Sequence, residues 1–296
     1  MNLRPSSKEL VVTGSSGFIG QTLVPFLEDK YVVNRLSLRD YQKRNINLEN
    51  VQAVIYLTGV AHKMEEIDSD IYFDVNRDLT LEFAEHVKNS GVPLFVYLSS
   101  TKVYKEDKTI FNEHSHSSPD EPYGQSKLAA EIGLQKMQSD AFKIAIIRAP
   151  LVYGAKVKGN LSRLMAVIFK WRIVPLGGIK NKRSMVYVRN LVALIEHVVV
   201  NKNSGIILAG DQKLHSTSEL VQNIAKGLNS PTKIVALPRL VRLLIRTIKP
   251  SLGKRLFNSL VFDNEGTNQR INFRPPYTFE EGIKEMAQDY LLNQDK

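Results

Sequence analysis

Gly14-Ser15-Ser16-Gly17-Phe18-Ile19-Gly20 constrains this chain more than any other segment. It is a G-x-x-G-x-x-G run. The apolar Leu10-Val11-Val12 precedes it, and residues with helical spacing follow (Phe18, Leu23, Phe26, Leu27). In a strand–turn–helix each glycine has its own task. One makes the tight turn, one lets the backbone approach a pyrophosphate, and one lets helix and strand pack closely. The helix N-terminus then offers N–H groups and its positive dipole end to the anion. The segment predicts the first βα unit of a dinucleotide-binding sheet, with Gly14, Ser16, Gly17, Phe18, Ile19 and Gly20 at the cofactor. The alternative is an ordinary glycine-rich βα turn.

The first half of the chain repeats this alternation. Residues 31–38, 51–57, 94–98 and 142–147 read as strands, and 18–29, 78–89 and 123–137 as helices. Pro25 is expected to kink or shorten the first helix. The pattern predicts an α/β fold, a Rossmann-type doubly wound parallel sheet. After Arg148-Ala149-Pro150 the punctuation changes to Gly177-Gly178, Pro231, Pro238, Pro250 and Pro275-Pro276. A smaller mixed C-terminal substrate lobe is expected there. The division is then 1–150 for the dinucleotide-binding domain, with 186–210 returning to it, and 151–296 for the substrate lobe.

Composition removes several chemistries. The chain has no cysteine, which excludes disulfide scaffolds, thiolate metal sites and cysteine nucleophiles. No apolar run reaches the ~18–20 residues of a spanning helix, and the N-terminus is polar, so a soluble cytoplasmic protein is expected. His114-Ser115-His116 has no third ligand in reach and reads as a solvated loop, so no metal site is expected. Lys and Arg number 40 against 30 Asp and Glu, a net +10. That surplus is local: residues 141–195 hold eleven Lys/Arg and no acid, residues 220–262 eight and none, and the rest is net −9. A basic lobe suits a doubly charged diphosphate. No groove-reading helix or aromatic–basic platform points to nucleic acid. Segment 237–258 interleaves arginines and lysines with leucines and isoleucines. It reads as a basic amphipathic helix, either packed on the lobe by its apolar side or in peripheral contact with an anionic membrane.

Arg39 stands nineteen residues after Gly20, at the end of the second strand, where an arginine accommodates the 2′-phosphate of NADP. A slip of one residue would put Asp40 there instead and restore NAD. Two YxxxK matches occur, Tyr104…Lys108 in a polar loop and Tyr123…Lys127 opening an apolar-periodic helix. On a helix that spacing puts phenol and ammonium on one face. A neighbouring ammonium favours phenolate, which suits Tyr123 to general acid–base work. Ser100, after the 94–98 strand, can hydrogen-bond a reacting oxygen.

Together these pieces resemble the extended short-chain dehydrogenase/reductases, specifically the NAD(P)-dependent nucleotide-sugar epimerase, dehydratase and reductase family. The matching segments are Thr13-Gly14…Gly17…Gly20, Leu57-Thr58-Gly59, Asn76, Ser99-Ser100-Thr101-Lys102-Val103-Tyr104, Tyr123…Lys127, Arg148-Ala149-Pro150…Tyr153-Gly154, Asn160-Leu161 and Arg183…Val188. The resemblance implies a catalytic triad of Ser100, Tyr123 and Lys127. It implies cofactor contacts at Arg39, Asn45, Ile46, Leu57, Thr58, Gly59, Asn76, Tyr123 and Lys127. It implies substrate contacts at Ser100, Thr101, Asn160, Leu161 and Arg183, a UDP-sugar substrate and a homodimer through the 78–89 and 123–137 helices. Tyr56, Thr58 and Asn190 depart from the family's commoner residues, which is expected to alter packing and not chemistry.

Similar dehydratases carry Asp-Glu directly after the catalytic Ser/Thr. Here those positions are Thr101 and Lys102, which cannot act as carboxylic acids. That leaves reduction of a 4-keto sugar or 4-epimerisation. Arg39 leans to NADPH-dependent 4-keto-sugar reduction, and the 154–160 and 175–184 segments resemble those of the short bacterial enzymes that finish UDP-N-acetyl-6-deoxyhexosamines for surface polysaccharide. The alternative is a UDP-hexose or UDP-N-acetylhexosamine 4-epimerase using NAD. A non-catalytic cofactor sensor is the rival from another class, but such proteins usually lose the Tyr or the Lys.

Overall fold

The computed structural model describes residues 8–39, 46–60, 68–106 and 109–294. In chain order the elements are β1 (Glu9–Thr13), α1 (Gly20–Glu28), β2 (Val32–Leu36), β3 (Val51–Tyr56), α2 (Ser69–Phe73), a π-helical turn (Asp74–Asp78) and α3 (Leu79–Asn89). Next come β4 (Leu94–Ser100), a 3₁₀ turn (Thr101–Val103), β5 (Ile110–Phe111), α4 (Pro122–Met137), β6 (Lys143–Ala149) and β7 (Leu151–Tyr153). After these are α5 (Asn160–Lys170), β8 (Ile173–Gly177), β9 (Met185–Tyr187), α6 (Val188–Asn201), β10 (Gly205–Leu208) and α7 (Thr217–Gly227). The chain ends with β11 (Lys233–Ala236), α8 (Arg239–Ile248), α9 (Pro250–Phe257), β12 (Val261–Phe262), α10 (Glu265–Ile271) and α11 (Phe279–Leu292).

Six strands form one parallel sheet in the order β10-β6-β4-β3-β1-β2. Helices cover both faces, and the period-2 geometry of a strand assigns each residue to one of them. Leu10, Val12, Ala53, Ile55, Leu94, Val96, Ala145 and Ile147 pack beneath α1 and α6. Val11, Val54, Tyr56, Phe95, Tyr97, Ile144 and Ile146 pack beneath α3 and α4. Burial on both faces is why these strands read as unbroken apolar runs.

A separate core joins α5, α7 and α11 with β8 and β9, through Leu161, Met165, Ile168, Val174, Val221, Ile224, Ile283 and Met286. Tyr153, Asn190 and Asp211 tie it to the sheet. The Tyr153 hydroxyl donates to Asp211 Oδ2 (2.6 Å), and Asn190 Nδ2 and the Tyr187 N–H donate to Asp211 Oδ1 (2.7 and 3.0 Å).

Two expectations need adjustment. Helix α1 starts at Gly20, because Phe18 and Ile19 belong to the turn, and it runs past Pro25 to Glu28. Pro25 lies on the exposed side, where its missing N–H costs least. Segment 237–258 is two helices, α8 and α9, broken at Lys249 before Pro250.

Candidate active site

The strand order reverses direction between β1 and β3, and the loops leaving these two strands meet there. Gly14 adopts φ +67°, and a Cβ on it would stand 2.8 Å from the Leu57 carbonyl carbon and 2.9 Å from the Thr58 nitrogen. A Cβ on Gly20 would stand 2.5 Å from the Gly14 oxygen. Glycine at both places is therefore a packing requirement. No side chain caps α1; the Gln21 and Thr22 N–H groups bond the Gly17 and Ile19 carbonyls, and the positive end of the helix dipole faces the crevice. The Thr58 hydroxyl oxygen is buried without a partner at the same crevice. Ser16 and Gly17 are exposed on the turn, while Phe18 and Ile19 pack against the second core. A cradle that a Cβ would fill, an uncapped helix and an orphaned hydroxyl fit the diphosphate and ribose of a nicotinamide dinucleotide.

Arg39 stands exposed three residues past the end of β2. Asn45 lies outside the described residues, as do Asp40 and Lys108. Ile46 turns its side chain into the core under α3, and its carbonyl bonds His86 Nε2 at 3.2 Å.

The second half of the site lies where β4 ends. Ser100 is the last residue of β4, and its Oγ accepts from the Lys102 N–H (3.2 Å), turning the chain into the 3₁₀ turn. Helix α4 starts directly against that turn. Gly124 permits this, since a Cβ there would run into the Lys102 carbonyl oxygen. The close approach sets the Tyr123 hydroxyl near enough to the Ser100 side chain for the serine to pull the phenol pKa downward. Tyr72, on α2, packs edge-on against the Tyr123 ring with centroids 5.8 Å apart. Thr101 is buried beside Ser100.

One turn further along α4, Lys127 is buried, 6% exposed. Its Nζ donates to the Leu98 carbonyl (3.1 Å) and lies 4.7 Å from the centre of the Tyr97 ring. Burial lowers its pKa from 10.5 to about 8, against a smaller upward pull from Glu131. The lowering of Tyr123 by Lys127 is not found. Burial dominates and raises the phenol above its ordinary value, and the nearby Ser100 hydroxyl pulls it back. The Lys127 ammonium is engaged by the Leu98 carbonyl of β4.

Asn76 is fully buried in the π-helical turn and works as a clip. Its Oδ1 accepts from the Val60 N–H (2.8 Å), and its Nδ2 donates to the Val60 carbonyl and the Ser126 hydroxyl (3.2 Å each). It fixes the loop containing Gly59 to α4. Gly59 lies over the site, where a Cβ would stand 3.4 Å from Lys127 Nζ.

The substrate-side residues divide. Asn160 is exposed at the start of α5. Leu161 is buried in the second core, so its side chain serves packing and only its backbone could meet a ligand. Arg183 is half-buried and donates Nη1 to the Asn258 carbonyl (3.3 Å). Its pKa is lowered, first by burial and also by the nearby Arg255 charge. An anion would relieve both.

Sequence reasoning missed Glu131. It accepts from Ser99 Oγ and pairs with Arg148, which also donates to the Tyr104 hydroxyl (2.6 Å). Spacing held a signal, because Glu131 stands four residues after Lys127 on one helix face. Tyr104 belongs to this buried network, so its YxxxK match is not a second active site. His114 and His116 are exposed, and the described residues contain no group of three or more that could hold a metal.

The model of the NAD dependent epimerase/dehydratase family matches residues 10–210. The chain belongs to that family. Over 97% of each chain it is 31% identical to UDP-glucose 4-epimerase of Vibrio cholerae. It is 25% identical to N-acetyl-alpha-D-glucosaminyl-diphospho-ditrans,octacis-undecaprenol 4-epimerase of Escherichia coli O157:H7, over 77% of this chain and 75% of the relative. The fold matches UDP-glucuronic acid 4-epimerase from Bacillus cereus, solved with NAD, at a TM-score of 0.75 and 16% identity, over 96% and 99% of the two chains. This chain is a nicotinamide-dependent enzyme of the short-chain dehydrogenase/reductase type. Among the described residues no helix is long and apolar enough to cross a membrane.

Proposed function

We propose that the enzyme interconverts the C4 epimers of a UDP-linked hexose. The observation that carries this is the end-to-end match to the Vibrio cholerae 4-epimerase, and it favours this reading over 4-keto reduction. The absence of carboxylic acids at Thr101 and Lys102 supports it, since removal of water from the sugar has no acid pair to drive it.

Ser100, Tyr123 and Lys127 are the proposed catalytic residues. Tyr123 takes the proton of the sugar 4-hydroxyl and returns it to the other epimer. Ser100 holds the same oxygen and keeps the phenol oriented. Lys127 holds the nicotinamide ribose and keeps a positive charge under the site. The bound nicotinamide supplies the hydride acceptor at C4. The glycine turn, Leu57, Thr58 and Gly59 hold the dinucleotide, and the lobe of residues 151–296 binds the UDP-sugar, with Arg183 on the diphosphate. A homodimer through α3 and α4 follows the family pattern, and Ile132 is exposed on α4.

Purified protein, given UDP-glucose and no added cofactor, should form UDP-galactose, and mass spectrometry should find NAD co-purifying. Arg39 favours the second reading, 4-keto reduction with NADPH. Consumption of NADPH by a 4-keto sugar, with no epimerisation and exchangeable NADP on the protein, would replace the first reading by the second.

A further inference from the structure

Helix α8 is built the wrong way round for a helix packed on a protein. Leu240, Leu244 and Ile248 recur every four residues with Val241 beside them, one apolar face of the helix. That face is open: Leu240 is 81% exposed, Leu244 56% and Ile248 65%. The opposite side carries two arginines that reach the protein. Arg242 and Arg246 lie over the Phe257 ring of α9, each with its guanidinium carbon 5.5 Å from the ring centre. Arg242 Nε is buried there with no hydrogen-bond partner. Only Ile245 joins the small core of Ile179, Leu237 and Phe257 below.

The helix cannot simply roll over to bury its leucines. Helix α9 touches it closely, for a Cβ on Gly253 would stand 3.0 Å from the Arg246 Cα. Helix α9 is itself anchored. Asn181 Nδ2 donates to the Leu256 and Asn258 carbonyls (3.2 and 3.1 Å), and Arg183 Nη1 bonds the same Asn258 oxygen. The apolar face is thus held outward by a fixed support that ends at the arginine proposed for the diphosphate.

Charge selects what covers this face. Between residues 220 and 262 there are eight Lys/Arg and no Asp or Glu. Lys249, where the two helices meet, and Lys254 are exposed, and Leu252 extends the apolar surface onto α9. A second copy of this chain would set that basic segment near its own like charges, since a two-fold interface pairs a patch with itself. An anionic lipid surface accepts leucines into the headgroup boundary and cations at the phosphates.

We propose that α8 and the head of α9 form a docking element for an anionic bilayer, inserting Leu240, Leu244 and Ile248 and presenting the basic substrate lobe to the membrane. This does not depend on whether the enzyme epimerises or reduces.

The full-length protein should float with phosphatidylcholine vesicles containing phosphatidylglycerol at low salt, and release at high salt. Pure phosphatidylcholine should bind weakly. L240S/L244S should lose about tenfold or more in partitioning, since two leucines leave the boundary. Its thermal unfolding and turnover of soluble substrate should be unchanged, because both side chains are exposed. Lys249→Glu should weaken binding to anionic vesicles alone. No flotation, or wild-type flotation by L240S/L244S, overturns the proposal. So does a dimer, measured by analytical ultracentrifugation, that L240S/L244S converts to monomer, for then a second copy covers the face.

Discussion

Glu131 and Arg148 form a bidentate ion pair sealed beneath α4, their side chains 1% and 4% exposed and Oε2 2.5 Å from Nη2. The pair joins the middle of α4 to β6, and its outer bonds reach Ser99 and Tyr104. It therefore locks the helix carrying Tyr123 and Lys127 to the strand end carrying Ser100. Removing one partner leaves a buried charge uncompensated. Glu131→Gln should cost about 3–5 kcal/mol in urea unfolding. Exchanging both, E131L/R148M, should recover most of that loss. A double variant as unstable as the single one would show that the pair acts through its hydrogen bonds to Ser99 and Tyr104 and not through its charge.

Tyr123→Phe keeps the ring against Tyr72 and deletes only the hydroxyl. Turnover should fall by about 10³-fold or more, while unfolding and cofactor content stay near wild type. Ser100→Ala should cost less in turnover. It also removes the hydroxyl that lowers the phenol pKa, so the limb of the kcat/KM profile that rises with pH should move to higher pH. An unmoved limb would mean that another group titrates there.

Lys127 carries a second pH signature. Its folded pKa of about 8 lies below the unfolded 10.5, so between these values the unfolded chain binds more protons. The group's contribution to stability is then unfavourable below pH 8 and improves as pH rises toward 10.5. Lys127→Met should remove that slope from a series of melts between pH 8 and 10. It should also stabilise the apoprotein at pH 7 by up to roughly 3 kcal/mol, less the lost bond to Leu98. Turnover should be lost. A slope that survives the substitution would assign the proton release elsewhere.

Local pattern and distant placement divide what the sequence discloses. Strands buried on both faces must be apolar throughout, so β1, β3, β4 and β6 can be read directly from Leu10–Val12 and its counterparts. The glycine turn and Tyr123…Lys127 are equally legible, because turn sterics and helix spacing are local. The direction of Lys127 is not local. Its ammonium turns to the Leu98 carbonyl on β4, so the spacing that finds the pair misstates what the lysine does to the phenol. Glu131 is hidden for the same reason, since its partner lies on another element and a lone acid in a helix reads as solvated. In α8 the period reveals an apolar face but not which way that face looks.

Gly124 sets the last prediction. Its hydrogen occupies the contact between the first turn of α4 and the Lys102 carbonyl, and that contact brings Tyr123 to Ser100. In Gly124→Ala the new methyl must push the helix start away, because the atom it meets is backbone. Alanine favours the helix itself by about 1 kcal/mol, which offsets part of the steric cost to stability. Catalysis has no such offset. A displacement near 1 Å at the reacting groups can cost about 10²-fold in rate. The variant should therefore fold, keep its cofactor and show a kcat loss far larger than its change in Tm. Equal and modest losses in both would place the Tyr123–Ser100 alignment under the control of Tyr72 and Asn76 instead.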